Sequence, residues 1–259
     1  MSLDSLYAQR AKAIERSVIG ALKEQVKSDD IISLGEGCPD KTAFPAKELS
    51  EVAQKVLREQ GQDILQYGAV LGYVGLRKEL SQLMEQYGIH FPVNQIQVTT
   101  GSMQSLELVT KLFLEPGDTV LVEDPTFIDA QNVLLFSGAN VEGIGCDEEG
   151  MDLTQLESAL QSNPTIKALY VIPDFQNPTG LCWSESRRAA FMKLVSQYNV
   201  AVFEDNPYGE LSYVHEPYKA LAAYDTKGQV IFMGSLSKTL SPGLRLGWLG
   251  GAKAVVDMV

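Results

Sequence analysis

The stretch "DTVLVEDPTFIDAQNVLLFSGANVEGIGCD" (118–147) decides the fold class. It opens with a β-rich apolar run that stops at Asp124-Pro125. A segment of helical length follows and closes on Gly138, and a second β-rich run starts at once. Strand, helix and strand in so short a span read as a βαβ unit, which belongs to a parallel sheet.

The same alternation runs outward in both directions. Upstream, "QIQVTTG" (95–101) reads as a strand and "SMQSLELVTKLFL" (102–114) as a helix. Downstream, helices are expected over 152–162 and 184–199. Strands are expected at "IKALYVIPD" (166–174), "VAVFEDNPY" (200–208) and "QVIFMGSLSK" (229–238), and "LRLGWLGG" (244–251) adds one more. Residues 46–60 and 73–88 carry helical periodicity, and the glycine-rich "ILQYGAVLGY" (64–73) separates them. Residues 1–30 read as a charged amphipathic helix and a polar turn. "IISLGEGCPDKTAFP" (31–45) follows as a short apolar run and then a loop. The expected fold is α/β, with a mostly parallel central sheet covered by helices on both faces. The chain divides into an N-terminal helix and loop (1–45) and a large domain (46–259).

In such sheets ligands bind beyond the carboxyl ends of the strands. Gly101 follows a strand, and the N–H groups of Ser102, Met103 and Gln104 open a helix. They can receive a phosphate, or Ser102 can simply cap the helix. Asp205 ends an apolar strand. It can form a turn or face a cationic ring nitrogen, with the Tyr208 hydroxyl in reach of the same ligand. In "PDFQNPTG" (173–180), Asn177 can serve the turn or donate a hydrogen bond into the crevice.

The most informative segment is "GSLSKTLSPGLRLGW" (234–248). A crevice lysine whose pKa is lowered by burial or nearby cations becomes a neutral amine, the nucleophile of Schiff-base chemistry. Around Lys238, Ser235 and Ser237 offer hydroxyls and Arg245 a bidentate fork for phosphate. The alternative is a solvated loop lysine, with Arg245 paired to a surface carboxylate.

Composition narrows the function. A net charge of −12 disfavours nucleic acid and anionic membranes. No apolar run is long enough to span a bilayer, and no signal peptide is visible. Three cysteines without a CxxC fit a reducing compartment rather than a disulfide framework or zinc site. His90 and His215 follow no metal spacing, so no metal is expected. Dinucleotide and P-loop fingerprints are missing.

The segments "ISLGEGCPDKTAFP" (32–45), "NPTG" (177–180), "DNPYGEL" (205–211) and the lysine segment, in this order, resemble the class I/II aminotransferases. These are fold-type I enzymes dependent on pyridoxal 5′-phosphate (PLP). The N-terminal segments are most similar to the group handling 2-aminoadipate, kynurenine, aromatic and branched-chain substrates. The resemblance implies amino-group transfer between an L-amino acid and a 2-oxo acid, with Lys238 forming a Schiff base to PLP and then shuttling the proton. It implies that Asp205 pairs with the pyridine N–H and that Asn177 and Tyr208 bond the ring's O3′. Ser102, Met103, Gln104, Ser235, Ser237 and Arg245 hold the phosphate, and Phe127 stacks on the ring where the family often has tyrosine. Tyr67 reaches the site of a partner subunit in a cytoplasmic homodimer, and Gly37 lies beside the substrate.

The family continues past "AKAVVDMV" (252–259) into a small domain bearing the arginine that clamps the substrate carboxylate. Val255, Val256 and Met258 are therefore expected without cover here. The same cofactor residues also serve a β-lyase, a decarboxylase or a PLP-binding module without turnover. Transcription regulators with an aminotransferase-like domain belong to that last group.

Overall fold

The computed structural model describes residues 3–8, 10–11, 37–213 and 216–259. Of the helix expected over 1–30, a 3-10 turn at Leu3–Leu6 is described, together with residues 7–8 and 10–11; the remainder lies outside the described residues.

Eight strands form one sheet in the order β1-β8-β7-β6-β5-β2-β3-β4. They are β1 (Ile96–Thr99), β2 (Thr119–Asp124), β3 (Asn140–Asp147), β4 (Gly150–Met151), β5 (Ile166–Val171), β6 (Ala201–Asn206), β7 (Val230–Ser235) and β8 (Gly247–Gly250). The β2–β3, β2–β5, β5–β6 and β6–β7 pairs are parallel. β4 folds back on β3 as a short antiparallel hairpin. β8 is antiparallel to both of its neighbours, β7 and β1. Two reversals cancel, so β1 points the same way as the parallel strands.

The helices are α1 (Ala46–Ile64), α2 (Val74–Glu85), α3 (Ser102–Phe113), α4 (Ile128–Phe136), α5 (Leu153–Ser162), α6 (Glu185–Val195) and α7 (Lys253–Val256). Two starts follow from side-chain caps. The Asp152 carboxylate accepts from the N–H groups of Thr154 and Gln155, and the Ser184 hydroxyl accepts from that of Arg187. Each cap satisfies donors that the first helical turn leaves open.

Period-two alternation builds the core on both faces. Val120, Val122, Tyr170, Phe203, Ile231 and Met233 face one side, where Leu106 and Val109 of α3 and Ala130 and Leu134 of α4 cover them. The residues between, among them Leu121, Leu169, Val171 and Val202, face Leu156 of α5 and Phe191 and Val195 of α6. A third cluster sets Leu80 and Met84 of α2 against Ile96, Phe232 and Trp248. The expectation of three uncovered C-terminal residues is corrected. Val256 is buried in the first cluster and Val255 packs against it, because α7 lies over that face; Met258 is exposed.

Candidate functional site

The sheet order fixes where the chemistry gathers. From β2 the chain goes outward to β3 and returns to β5 on the other side of β2, so the helices change face between these central strands. A crevice opens at the carboxyl ends of strands at such a switch. Phe127 follows β2, Asn177 follows β5, Tyr208 follows β6, and Ser237 and Lys238 follow β7. β1 points the same way, so Ser102 and Met103 arrive there too. β8 runs oppositely and delivers its start, Arg245, to the same edge. All of these residues, with Asp205 and Ser235, line one cavity of about 190 Å³.

One end of the cavity is built for an anion. Gly101 has φ +83°, a conformation glycine adopts freely. An added Cβ there would stand 2.7 Å from Arg245 Nη2. A Cβ on Gly247 would stand 2.5 Å from the Gly101 carbonyl carbon and 2.7 Å from the Ser102 nitrogen. These two glycines let the first N–H groups of α3, the start of β8 and the Arg245 guanidinium meet. Arg245 is itself left-handed, φ 50° and ψ 43°, which costs a non-glycine residue on the order of 1–3 kcal/mol. The Ser235 hydroxyl donates to Ser237 Oγ at 2.9 Å and accepts from the Ser237 N–H.

The other end carries a buried carboxyl group. Asp205 is 4% exposed. Tyr170 Oη donates to its Oδ2 at 2.8 Å, while Oδ1 is buried without a partner. Burial pushes the Asp205 pKa up to about 6, and the Tyr170 and Ser102 hydroxyls pull it down. The Ser102 hydroxyl acts without closing a hydrogen bond on Oδ1. A buried acceptor without a donor is expensive, so this oxygen suits a ligand N–H. Between the two ends, Lys238 Nζ donates to the Gly37 carbonyl at 2.7 Å and stands 5.8 Å from the Tyr208 ring centroid. Asn177 Nδ2 donates to Tyr208 Oη at 3.4 Å. Burial raises the Tyr208 pKa.

The raised Asp205 pKa makes a stability prediction. The folded protein holds this proton from pH 3.8 up to about 6, where the unfolded chain has released it. The group therefore loses stability as pH rises through that window, and the loss is complete above it. Asp205→Asn is expected to stabilise the ligand-free protein by about 2 kcal/mol at pH 8 and to leave it unchanged near pH 4. Urea unfolding at both pH values measures this; equal stability of the two proteins at pH 8 contradicts it.

The loops bearing Asn177 and Tyr208 are tied together underneath. Arg188, fully buried on α6, donates from Nη1 and Nη2 to Asp174 Oδ2 and Oδ1 at 3.1 and 2.7 Å. It also donates to the carbonyls of Pro173, Trp183 and Lys219. Asn206 Nδ2 donates to Asp174 Oδ2, and Asn206 Oδ1 accepts from the Gly209 N–H. Glu123 on β2 accepts from the Ile172 N–H and Trp183 Nε1, both at 2.8 Å, and burial raises its pKa to about 7.

Two expected residues stand apart. The Gln104 side chain turns back and accepts from the Thr100 N–H, and Gln104 is not part of the cavity wall. Tyr67, expected at the site of a partner subunit, is 99% exposed and does not line this cavity. Gly37 touches the site through its carbonyl. Sequence reasoning missed Tyr170, Arg188 and the spacer role of Gly247, and gave Asp174 no role beyond its place after a strand. Tyr170 sits in an apolar strand and reads as core, while Arg188 in "SRRAAF" reads as a solvated helix charge.

Lysine, buried carboxyl and anion cradle on a doubly wound sheet suit a ligand that carries an N–H group at one end and an anionic group at the other. Comparison with known proteins narrows this. The family model Aminotransferase class I and II matches residues 29–259. The aromatic-amino-acid aminotransferase 1 of Thermococcus litoralis is 37% identical over 254 residues, spanning 96% of this chain and 61% of its own. A kynurenine aminotransferase of Pyrococcus horikoshii, solved in complex with PMP, superposes with a TM-score of 0.90 at 35% identity and covers 99% of this chain and 65% of its own. The HTH-type transcriptional regulator YisV of Bacillus subtilis is 31% identical over 93% of this chain and 49% of its own length. The chain belongs to the class I and II aminotransferase family, and it spans about three fifths of the curated aminotransferase it matches.

Proposed function

We propose that the chain is the cofactor-binding part of a PLP-dependent aminotransferase that moves an amino group between an L-amino acid and a 2-oxo acid. The observation that carries this reading is Asp205 Oδ1, buried and without a donor, in the same cavity as Lys238 and the Ser-Arg cradle. Bound PLP supplies an aldehyde that condenses with amines and a protonated ring that takes up the electron pair left when a substrate Cα–H bond breaks.

The chain's residues do the rest. Asp205 Oδ1 accepts the ring N–H and keeps that nitrogen charged. Lys238 Nζ would be the amine that attaches the cofactor, and would hold and move the proton taken from the substrate Cα. The Asn177 amide and Tyr208 hydroxyl donate to the phenolic oxygen. The N–H groups of Ser102 and Met103, the Ser235 and Ser237 hydroxyls and Arg245 bind the phosphate. Phe127 covers a ring face and shields it from water. The Gly37 carbonyl, now on Lys238, lies where substrate enters.

A homodimer suits the surface. Helix α1 buries none of its residues, and Val52, Leu57, Leu65, Tyr67, Val70 and Tyr73 are exposed around it. A second copy would cover them and bring Tyr67 to the neighbouring phosphate. Among the described residues no helix is long and apolar enough to cross a membrane. The Cys146 and Cys182 thiols are free, as a cytoplasmic setting keeps them.

The similarity to YisV favours one other reading, a PLP-binding module without turnover. The experiment has two arms. Borohydride reduction of the chain with PLP, followed by peptide mapping, is expected to label Lys238; a label on another lysine overturns the site. Incubation with 2-oxoglutarate and aromatic, branched-chain and acidic amino acids is expected to yield glutamate. Labelled Lys238 with no glutamate from any donor favours the module.

A further inference from the structure

We propose that Tyr170 is a positioning residue for the cofactor's ring nitrogen: its hydroxyl takes one oxygen of Asp205 and so presents the other to the ring. The inference rests on the cofactor reading above. Tyr170 on β5 is opposite Phe203 on β6, and Asp205 is two residues further along β6, on the same sheet face. The hydroxyl bonds Asp205 Oδ2 at 2.8 Å within a fully buried surround. Its neighbours in this core cluster, such as Ile172, Ala168 and Phe203, are apolar. A phenylalanine would fill the same space, so packing alone does not call for an oxygen here. A fully buried hydroxyl needs a partner, and this one has the carboxylate.

The consequence is geometric. A carboxylate has two equivalent oxygens and can turn about its last bond. With Oδ2 tied, Oδ1 is left as the bare acceptor. Removing the hydroxyl frees both oxygens and withdraws a donor that favours the charged carboxylate.

The charged and titratable groups around the pair are few. Ser102 faces Asp205 from the start of α3, and Tyr208 from the loop after β6. Glu123 on β2 acts on Tyr170. Lys238 and Arg245 share the cavity. Burial raises the Asp205 pKa and Tyr170 lowers it, so the Tyr170→Phe protein should protonate Asp205 at higher pH.

The test is PLP titration of the purified chain and of Tyr170→Phe between pH 5.5 and 8.5, with urea unfolding of both alongside. The variant is expected to bind PLP about tenfold or more weakly at pH 8. The pH below which affinity falls should move upward by about half a unit or more. An analogue carrying CH in place of the ring nitrogen should bind both proteins alike. Unchanged affinity and midpoint overturn the assignment and leave the cofactor reading standing. A loss of affinity with an unmoved midpoint, or one that persists with the analogue, marks a merely structural tyrosine and overturns it too. Failure of the parent chain to bind PLP overturns both.

Discussion

Asp174→Ala is expected to destabilise the fold by about 3–5 kcal/mol, because it strands the Arg188 guanidinium without its counter-charge. Arg188 is fully buried and Asp174 is 4% exposed on its side chain. Neither group can turn to water without unpacking α6. An exposed pair such as Lys111–Glu107 should by contrast contribute about 1 kcal/mol or less. The damage should reach the site, since Asp174 also holds Asn206 and through it the turn at Gly209. Urea unfolding and PLP titration of Asp174→Ala measure both effects. Arg188→Met in the same background should recover part of the loss, because it removes the stranded charge. A single variant within 1 kcal/mol of the parent would show that the clamp carries little.

Gly247→Ala is expected to lower stability by on the order of 3 kcal/mol and to weaken PLP binding at least tenfold. The added methyl would press on the Gly101 carbonyl carbon and the Ser102 nitrogen, at 2.5 and 2.7 Å. Both are backbone atoms in the turn that starts α3, so no side chain can swing aside. Relief requires β8 to part from β1 or the α3 N-terminus to lift, and either opens the phosphate end. At Gly117 an added Cβ meets nothing within 4 Å, but its φ of +95° still penalises alanine. Gly61→Ala, on a helix and in open space, is the clean control and should leave binding unchanged. Parent-like affinity in Gly247→Ala would refute the close-approach argument.

The alternation of apolar strands with helices was legible because the central strands bury both faces and the helices packed on them bury one. Residues 118–147 became β2, α4 and β3 with the expected limits moved by a residue or two. The direction of β8 was not legible. "LRLGWLGG" reads as a strand either way, and only pairing with β1 and β7 makes it antiparallel. The two-residue β4 is too short for any periodicity. At the site, residues that sit just beyond strands stood out against their apolar approach: Asp205, Asn177, Ser237 and Lys238. Tyr170 did not, because a tyrosine inside a strand and a tyrosine in the core have the same surroundings in sequence. Gln104 was expected at the phosphate through its backbone N–H, which here donates to the Gly101 carbonyl, while its side chain accepts from the Thr100 N–H.

The position of β8 also sets an order of events as the chain is made. Among the described residues β1 pairs with β8 and with no other strand, Thr99 lying opposite Gly247. Until β8 has emerged and docked, "IQVT" has no strand beside it, only the Leu71 carbonyl that accepts from the Val98 N–H, and the N–H groups opening α3 have no arginine across from them. Contacts this far apart in sequence form late, and an unpaired apolar strand is open to wrong partners meanwhile. The anion receptor is thus completed only once β8, far along the chain from β1, has docked. A ligand that grips it would stabilise finished molecules and gain little from unfinished ones.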